Sequence, residues 1–262
     1  MDDLKTFRPI AEIKTIKFNC PKHGLVEGKA TTIGSEYIEI CPFCEQEETD
    51  KELQEQEKKE LEKRKAFFEA KMHSCNIEPE YWHKTIDDYI PSCTSQQIAK
   101  DAVKEMIAKK CGKVILLGSN GVGKTMLGSI AVAELGGKIM SMYEITTMIR
   151  ACYTARAEKT ELELVKELAS LPMLVIDELG RTKGSEAELN WLSYILDKRH
   201  VRNLPFMILS NTHLRRMCKK DGCPNCFENY VNNDVLSRLR ENAKIVSIEA
   251  ADYRANKGDY KK

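Results

Sequence analysis

Gly118, Ser119, Asn120, Gly121, Val122, Gly123, Lys124 and Thr125 match the pattern GxxxxGK[ST]. They follow the apolar run Val114 to Leu117 and precede an amphipathic stretch, the strand-loop-helix setting in which this pattern binds phosphate. Glycines at 118, 121 and 123 let backbone N–H groups turn inward around phosphate oxygens, and the N-terminus of the next helix adds its dipole. Lys124 then reaches the β and γ phosphates of a nucleoside triphosphate, and Thr125 ligates Mg2+. A second apolar run, Met173 to Ile176, ends in Asp177 and Glu178. At the C-terminal edge of a parallel sheet, where open α/β folds bind ligands, Asp177 would hold the Mg2+ shell and Glu178 would polarise a water. The glutamate favours hydrolysis over transfer to a hydroxyl, as in a small-molecule kinase. A third run, Phe206 to Ser210, ends in Asn211, whose amide could hold that water against the γ-phosphate.

The chain's ten cysteines point to a different chemistry. Cys20-Pro-Lys-His23 and Cys41-Pro-Phe-Cys44 are two ligand pairs, each with two residues between its members. Three thiolates and an imidazole make a closed tetrahedral Zn2+ site. A segment of about 45 residues has too little core to stand alone, so metal binding would supply much of its stability. A second group, His213, Cys218, Cys223 and Cys226, interrupts the later α/β pattern. It reads either as a second zinc site or as reduced thiols in an insertion. A redox CxxC would need thioredoxin-like surroundings that the sequence lacks.

The elements that must position these groups follow from periodicity. Strands are expected at 114–118, 138–142, 173–177, 206–210 and 244–248, with helices after Lys124 and over 144–155, 160–169, 186–201 and 234–240. In the helix at 186–201, Leu189, Leu192, Ile195 and Leu196 recur on one face. Such alternation builds an α/β fold, a mostly parallel sheet flanked by helices. Before it, the charge-dense run 47–72 has sparse apolar positions (Leu53, Leu61, Phe67, Phe68, Met72) and reads as a solvated helical linker. The expected organisation is a zinc-binding domain over 1–45, a linker over 46–80 and an ATPase domain over 81–262.

Of the 262 residues, 42% are hydrophobic and 31% charged, with a net charge of +1. That balance gives no global field for nucleic acid, so any such binding must use local patches. The longest aliphatic stretch, Val114 to Leu117, is far short of a membrane span, and MDDLKTFRPI lacks a signal peptide's apolar core. No membrane partner and a cytoplasmic location are expected.

The phosphate loop, IDELG at 176–180, LSN at 209–211, SRLR at 237–240 and DYR at 252–254 together resemble the AAA+ domain of bacterial and phage helicase loaders of the DnaC/DnaI type. IstB transposition helpers are close relatives of that group. The resemblance spans roughly 81–254. It implies an ATPase that self-associates through its AAA+ domain, binds the hexameric replicative DNA helicase and places it on single-stranded DNA. By matching position it puts Lys124 and Thr125 in Walker A, Asp177 and Glu178 in Walker B and Asn211 at sensor 1. Arg238 falls at the arginine finger, acting on a neighbouring subunit's ATP, with Arg240 as its rival, and Arg254 at sensor 2. A guanidinium there spreads positive charge over the γ-phosphate as negative charge develops. TIDDYIP at 85–91 resembles the box preceding such domains. Arg150, Tyr153 and Arg156 combine cation and aromatic in a way that suits single strands. Zinc-bearing N-terminal domains carry the helicase contact in loaders. An IstB-like transposition helper is the alternative.

Overall fold

The computed structural model describes residues 13–33, 36–181, 185–231 and 233–253. The chain divides into two compact units, with the break between Phe68 and Glu69.

In the first unit, β1 (Lys14–Cys20), β2 (Gly24–Ile33) and β3 (Glu36–Ile40) form an antiparallel sheet in the order β1-β2-β3. The sequence reading assigned no strands here. Cys20, Val26 and Cys41 are buried against Phe18 and Cys44, so a very small apolar cluster surrounds the cysteines. Helix α1 (Pro42–Ser74) then runs for 33 residues, with Met72 as its buried position. Pro42 opens it at the position where a missing N–H costs nothing. Leu53, Leu61 and Phe67 are exposed, as a solvated helix requires.

The second unit starts earlier than the 81 boundary read from the sequence. Met72, Cys75 and Ile77 are buried, and the Ile139 amide donates to the Cys75 carbonyl at 3.1 Å. Helix α2 (Thr94–Lys109), which the sequence reading did not assign, buries Ala99, Ala102, Val103 and Met106 at helical spacing. It is followed by β4 (Lys113–Gly118), α3 (Lys124–Leu135), β5 (Lys138–Ser141), α4 (Met142–Ala151) and α5 (Glu161–Ser170). Next come β6 (Leu174–Asp177), α6 (Glu186–Val201), β7 (Phe206–Ser210), α7 (Asn233–Arg240) and β8 (Ala243–Ile248). The five strands pair in parallel in the order β5-β6-β7-β4-β8. Their apolar runs are covered on both faces: Ile115, Leu116, Leu174, Val175, Met207 and Ile208 are fully buried.

Helices α4, α5 and α6 each start from a capping box, Ser141 with Glu144, Thr160 with Glu163 and Ser185 with Glu188. Each cap satisfies amides that would otherwise lack partners, an effect of about 1 kcal/mol. Met142 is the first residue of α4 and not the end of a strand. That helix closes at Ala151, short of the expected 155, so Tyr153 and Arg156 do not share it with Arg150.

The expected buried face of α6 is present in Leu192, Ile195 and Leu196, with Leu189 half-buried. One turn further on, Arg199 is fully buried. Its guanidinium donates to the carbonyls of Leu168 (3.3 Å), Ala169 (3.5 Å), Leu171 (2.8 Å), Pro172 (3.3 Å) and Pro205. Burial pulls it down to about 10, and it remains a cation at neutral pH. Several of its acceptors are carbonyls at the end of α5, which lack intrahelical partners. Among the described residues no helix is long and apolar enough to cross a membrane.

Candidate nucleotide site and cysteine clusters

The strand order explains how residues far apart in sequence converge. β4 carries the phosphate loop and lies beside β7, and β7 lies beside β6, so the C-terminal ends of all three reach one sheet edge. The loop turns through positive φ at Gly121 (74°) and Gly123 (90°) before α3 begins. A side chain at 123 would meet a Tyr89 ring carbon at 2.6 Å, and one at 121 would fall on the Asp252 carboxylate. Both positions therefore need glycine for space as well as conformation.

Lys124 is buried, and its ammonium donates to the carbonyls of Gly118 (2.8 Å) and Ser119 (2.7 Å) and to Asn211 Oδ1 (2.9 Å). Burial pulls it down to about 8, against the attraction of Asp177. The Thr125 hydroxyl donates to Asp177 Oδ2 at 2.9 Å, while the Glu178 amide donates to Asp177 Oδ1 at 2.6 Å. Burial raises the Asp177 carboxyl above its ordinary range. The geometry thus brings Lys124, Thr125, Asp177 and Asn211 together. Glu178 takes a left-handed conformation (φ 56°), uncommon for a side chain of its size, and its carboxylate receives both contacts of Arg181 Nη1 at 2.8 Å. Arg181 was not singled out in the sequence, although its i+3 spacing from Glu178 was visible there.

TIDDYIP at 85–91 supplies the back of the loop. The Tyr89 hydroxyl donates to the Val122 carbonyl at 3.1 Å, joined there by Gln96 Nε2 at 3.2 Å. Burial pushes the Tyr89 phenol up to about 12, so it stays protonated as a donor. Neither residue was assigned a contact from sequence, because only the fold brings α2 behind the loop.

Arg238 lies elsewhere. Its backbone carbonyl accepts from Lys113 Nζ at 3.0 Å, and its guanidinium pairs with Asp197 of α6. Lys113 Nζ also meets the Glu241 carbonyl at 3.2 Å; since Lys113 opens β4 and Gly118 closes it, the last turn of α7 is anchored at the end of β4 opposite the phosphate loop. The side chain of Arg240 and all of Arg254 lie outside the described residues. Arg150 pairs with Glu188 at 2.9 Å and Tyr153 donates to Glu161, so two of the three groups suited to single strands are engaged within the fold.

Two groups of possible metal ligands stand out among the described residues. In the first, His23 Nδ1 lies 3.8, 3.6 and 3.4 Å from the sulfurs of Cys20, Cys41 and Cys44, and Cys20 and Cys44 are 3.6 Å apart. Zinc bond lengths of about 2.0–2.3 Å give tetrahedron edges of about 3.5–3.8 Å, so this donor set fits the ion. The other imidazole nitrogen faces Glu47 at 3.2 Å, and Glu47 in turn pairs with Lys22. Such a carboxylate fixes the ring of a metal-bound histidine. Backbone N–H groups of Lys22 and His23 pull the Cys20 thiol down to about 6. In the second group, His213 Nε2 lies 3.6 Å from both Cys223 and Cys226, with Cys218 close by.

A parallel five-stranded sheet with a glycine-rich loop, and with Asp177 and Asn211 gathered beside it at one edge, defines a P-loop protein of the AAA+ architecture. The family model described as IstB-like ATP binding protein matches residues 45–259, and the chain belongs to that family. The replicative helicase loader DnaC of Escherichia coli strain K12 is 26% identical over 170 residues, 62% of this chain and 69% of that protein. A crystal structure of the DnaC helicase loader matches with a TM-score of 0.53 at 20% identity, covering 66% of this chain and all of that one. A crystal structure of a DNA replication initiation factor gives 0.53 at 19% identity, covering 70% of this chain and 55% of that chain.

Proposed function

We propose that this chain is an ATP-hydrolysing loader that binds the hexameric replicative DNA helicase in the cytoplasm and helps place it on single-stranded DNA. The observation that carries the reading is the likeness to DnaC over the shared domain, which favours replication over the transposition role of IstB-like relatives.

The chain's own groups account for nucleotide chemistry. Three neutral acceptors hold the Lys124 ammonium inside the loop, where the β and γ phosphates would take their place. Thr125 and Asp177 would hold Mg2+, which when bound neutralises charge on the phosphate oxygens. Glu178 accepts the proton of the attacking water, and Asn211 orients that water beside Lys124. Since Arg181 occupies the Glu178 carboxylate, catalysis requires that contact to loosen. Arg238 is anchored beside Lys113, at the end of β4 opposite the loop, and pairs with Asp197, which supports action on a neighbour's γ-phosphate after self-association. Cys20, His23, Cys41 and Cys44 would hold Zn2+ and give the N-terminal unit its stability, with that unit as the helicase contact.

The test is capture of the purified replicative helicase by the full chain with ATP, compared with a chain lacking residues 1–68. Capture that disappears on deletion is expected. Failure of the intact chain to capture helicase, together with capture of a transposase, would replace this reading by the transposition role.

A further inference from the structure

The second cysteine group lies in the segment joining β7 to α7, between the sensor asparagine and the finger arginine. This segment has little apolar burial of its own: Leu214, Cys226 and Phe227 are buried, whereas most positions over 215–225 are exposed. Yet it converges tightly. His213 and Cys226 form a parallel bridge, with the His213 amide donating to the Asn225 carbonyl at 3.2 Å and the Phe227 amide to the His213 carbonyl at 2.8 Å. Asn229 Nδ2 donates to the carbonyls of Cys223 (2.9 Å) and Pro224 (3.2 Å), and the Glu228 carboxylate accepts the Arg215 amide at 3.1 and 2.9 Å. Gly222, at φ 66°, turns the chain into Cys223-Pro-Asn-Cys226.

The result is three sulfurs and one imidazole nitrogen, all within 4.8 Å of one another, with no disulfide between them. The 3.6 Å spacings from His213 Nε2 to Cys223 and Cys226 equal a tetrahedral zinc edge and reproduce the N-terminal cluster's spacings. The donor set is the same, three thiolates and an imidazole. Such a set suits zinc over hard cations, which prefer oxygen.

We propose that His213, Cys218, Cys223 and Cys226 bind a second zinc ion, and that this ion ties the sensor end of β7 to the finger helix α7. Asn211, which touches Lys124, stands two residues before His213. The same strand end is locked to Walker B, because the Ser210 hydroxyl reaches the Leu179 carbonyl and the Leu179 amide reaches Leu209 at 3.1 Å. On the other side, Cys226 leads through Phe227, Tyr230 and Val231 into α7. The metal closes this route into one stiff unit, so a change at the γ-phosphate reaches the arginine presented to a neighbour. The metal site stands independently of the loader reading; the coupling rests on that reading through Arg238.

The test is zinc content of the purified full chain, by atomic emission, alongside nucleotide binding and hydrolysis. Two ions per chain are expected. Cys223→Ser with Cys226→Ser should leave one ion, as should Cys41→Ser with Cys44→Ser, and the fourfold variant should hold none. Because the 223/226 pair could hinder folding, Cys218→Ala provides a milder variant, and cobalt-loaded wild-type chain should show thiolate-to-metal charge transfer for two sites. One ion in the wild type, lost only with the N-terminal cysteines, would overturn the site. For the coupling, the 223/226 variant should bind Mg2+·ADP within about twofold of wild type. Its protein-concentration-dependent hydrolysis should fall at least tenfold, matching Arg238→Ala. Zinc loss with unchanged hydrolysis would overturn the coupling. An Arg238→Ala variant with normal hydrolysis would instead refute the finger reading and leave the metal site standing.

Discussion

Lys124 titrates near 8 because it is buried among neutral acceptors, and nucleotide phosphate would return it to the ordinary lysine range. The sign follows directly. The free site loses its proton as pH rises through about 8 while the occupied site keeps it, so binding takes up a proton above that pH and affinity falls. From about pH 7.5 to 9 the neutral fraction of free Lys124 rises from roughly a quarter to roughly nine-tenths, which weakens binding about eightfold, or about 1.2 kcal/mol. The assay is calorimetric titration with Mg2+·ADP, whose own phosphates are already ionised across this window. Repeating it in buffers of different ionisation enthalpy counts the protons taken up. Lys124→Arg keeps the charge at all these pH values, so its weaker binding should show no comparable slope. A flat profile in the wild type, or an equal slope in Lys124→Arg, would refute the argument that desolvation of this amine governs the site.

Freeing Glu178 by Arg181→Ala should raise basal ATP hydrolysis by roughly two- to fivefold in a steady-state phosphate-release assay, the range expected for an exposed ion pair. Gly123→Ala places a Cβ against the Tyr89 ring and forces an unfavourable φ, so nucleotide affinity should drop tenfold or more by fluorescence titration. Arg199→Met removes the donor to five carbonyls, three of them on the buried residues Leu168, Ala169 and Pro205, and should lower stability by about 3 kcal/mol in urea unfolding, read as a shift in midpoint.

The parallel sheet was largely legible because its strands are short apolar runs bounded by polar residues, and the phosphate loop is a local pattern. Phe206 to Ser210 and Glu186 to Val201 fall where their residues place them. The N-terminal strands were missed although Ile16, Phe18 and Cys20 alternate with polar residues, because the facing positions of β2 are filled largely by small residues, Val26, Gly28 and Ala30, which give a faint hydrophobic signal. Helix α2 escaped because alanines carry much of its buried face and give a faint periodicity. Lys124, Asp177 and Asn211 could be named from their motifs. The contacts of Tyr89, Gln96 and Arg181 depend on which elements meet, which a linear pattern does not encode. The spacings of Cys20, His23, Cys41 and Cys44 pointed to a ligand set, and those of His213, Cys218, Cys223 and Cys226 left one open; the fold gathers the donor atoms of each group within 4.8 Å of one another.

Arg199 bears on how the second unit assembles. Its acceptors come from the end of α5, the turn before β6 and the residue before β7, segments that meet once β6 has paired with β7 and α5 and α6 have docked. Any collapsed intermediate that dehydrates this guanidinium before those carbonyls arrive leaves a buried charge without partners, which is costly. Half-built cores are therefore disfavoured twice, by missing apolar contacts and by an unsatisfied cation. This part of the chain should unfold in one sharp step, with α5, α6 and β7 exchanging their amide hydrogens as one cooperative group.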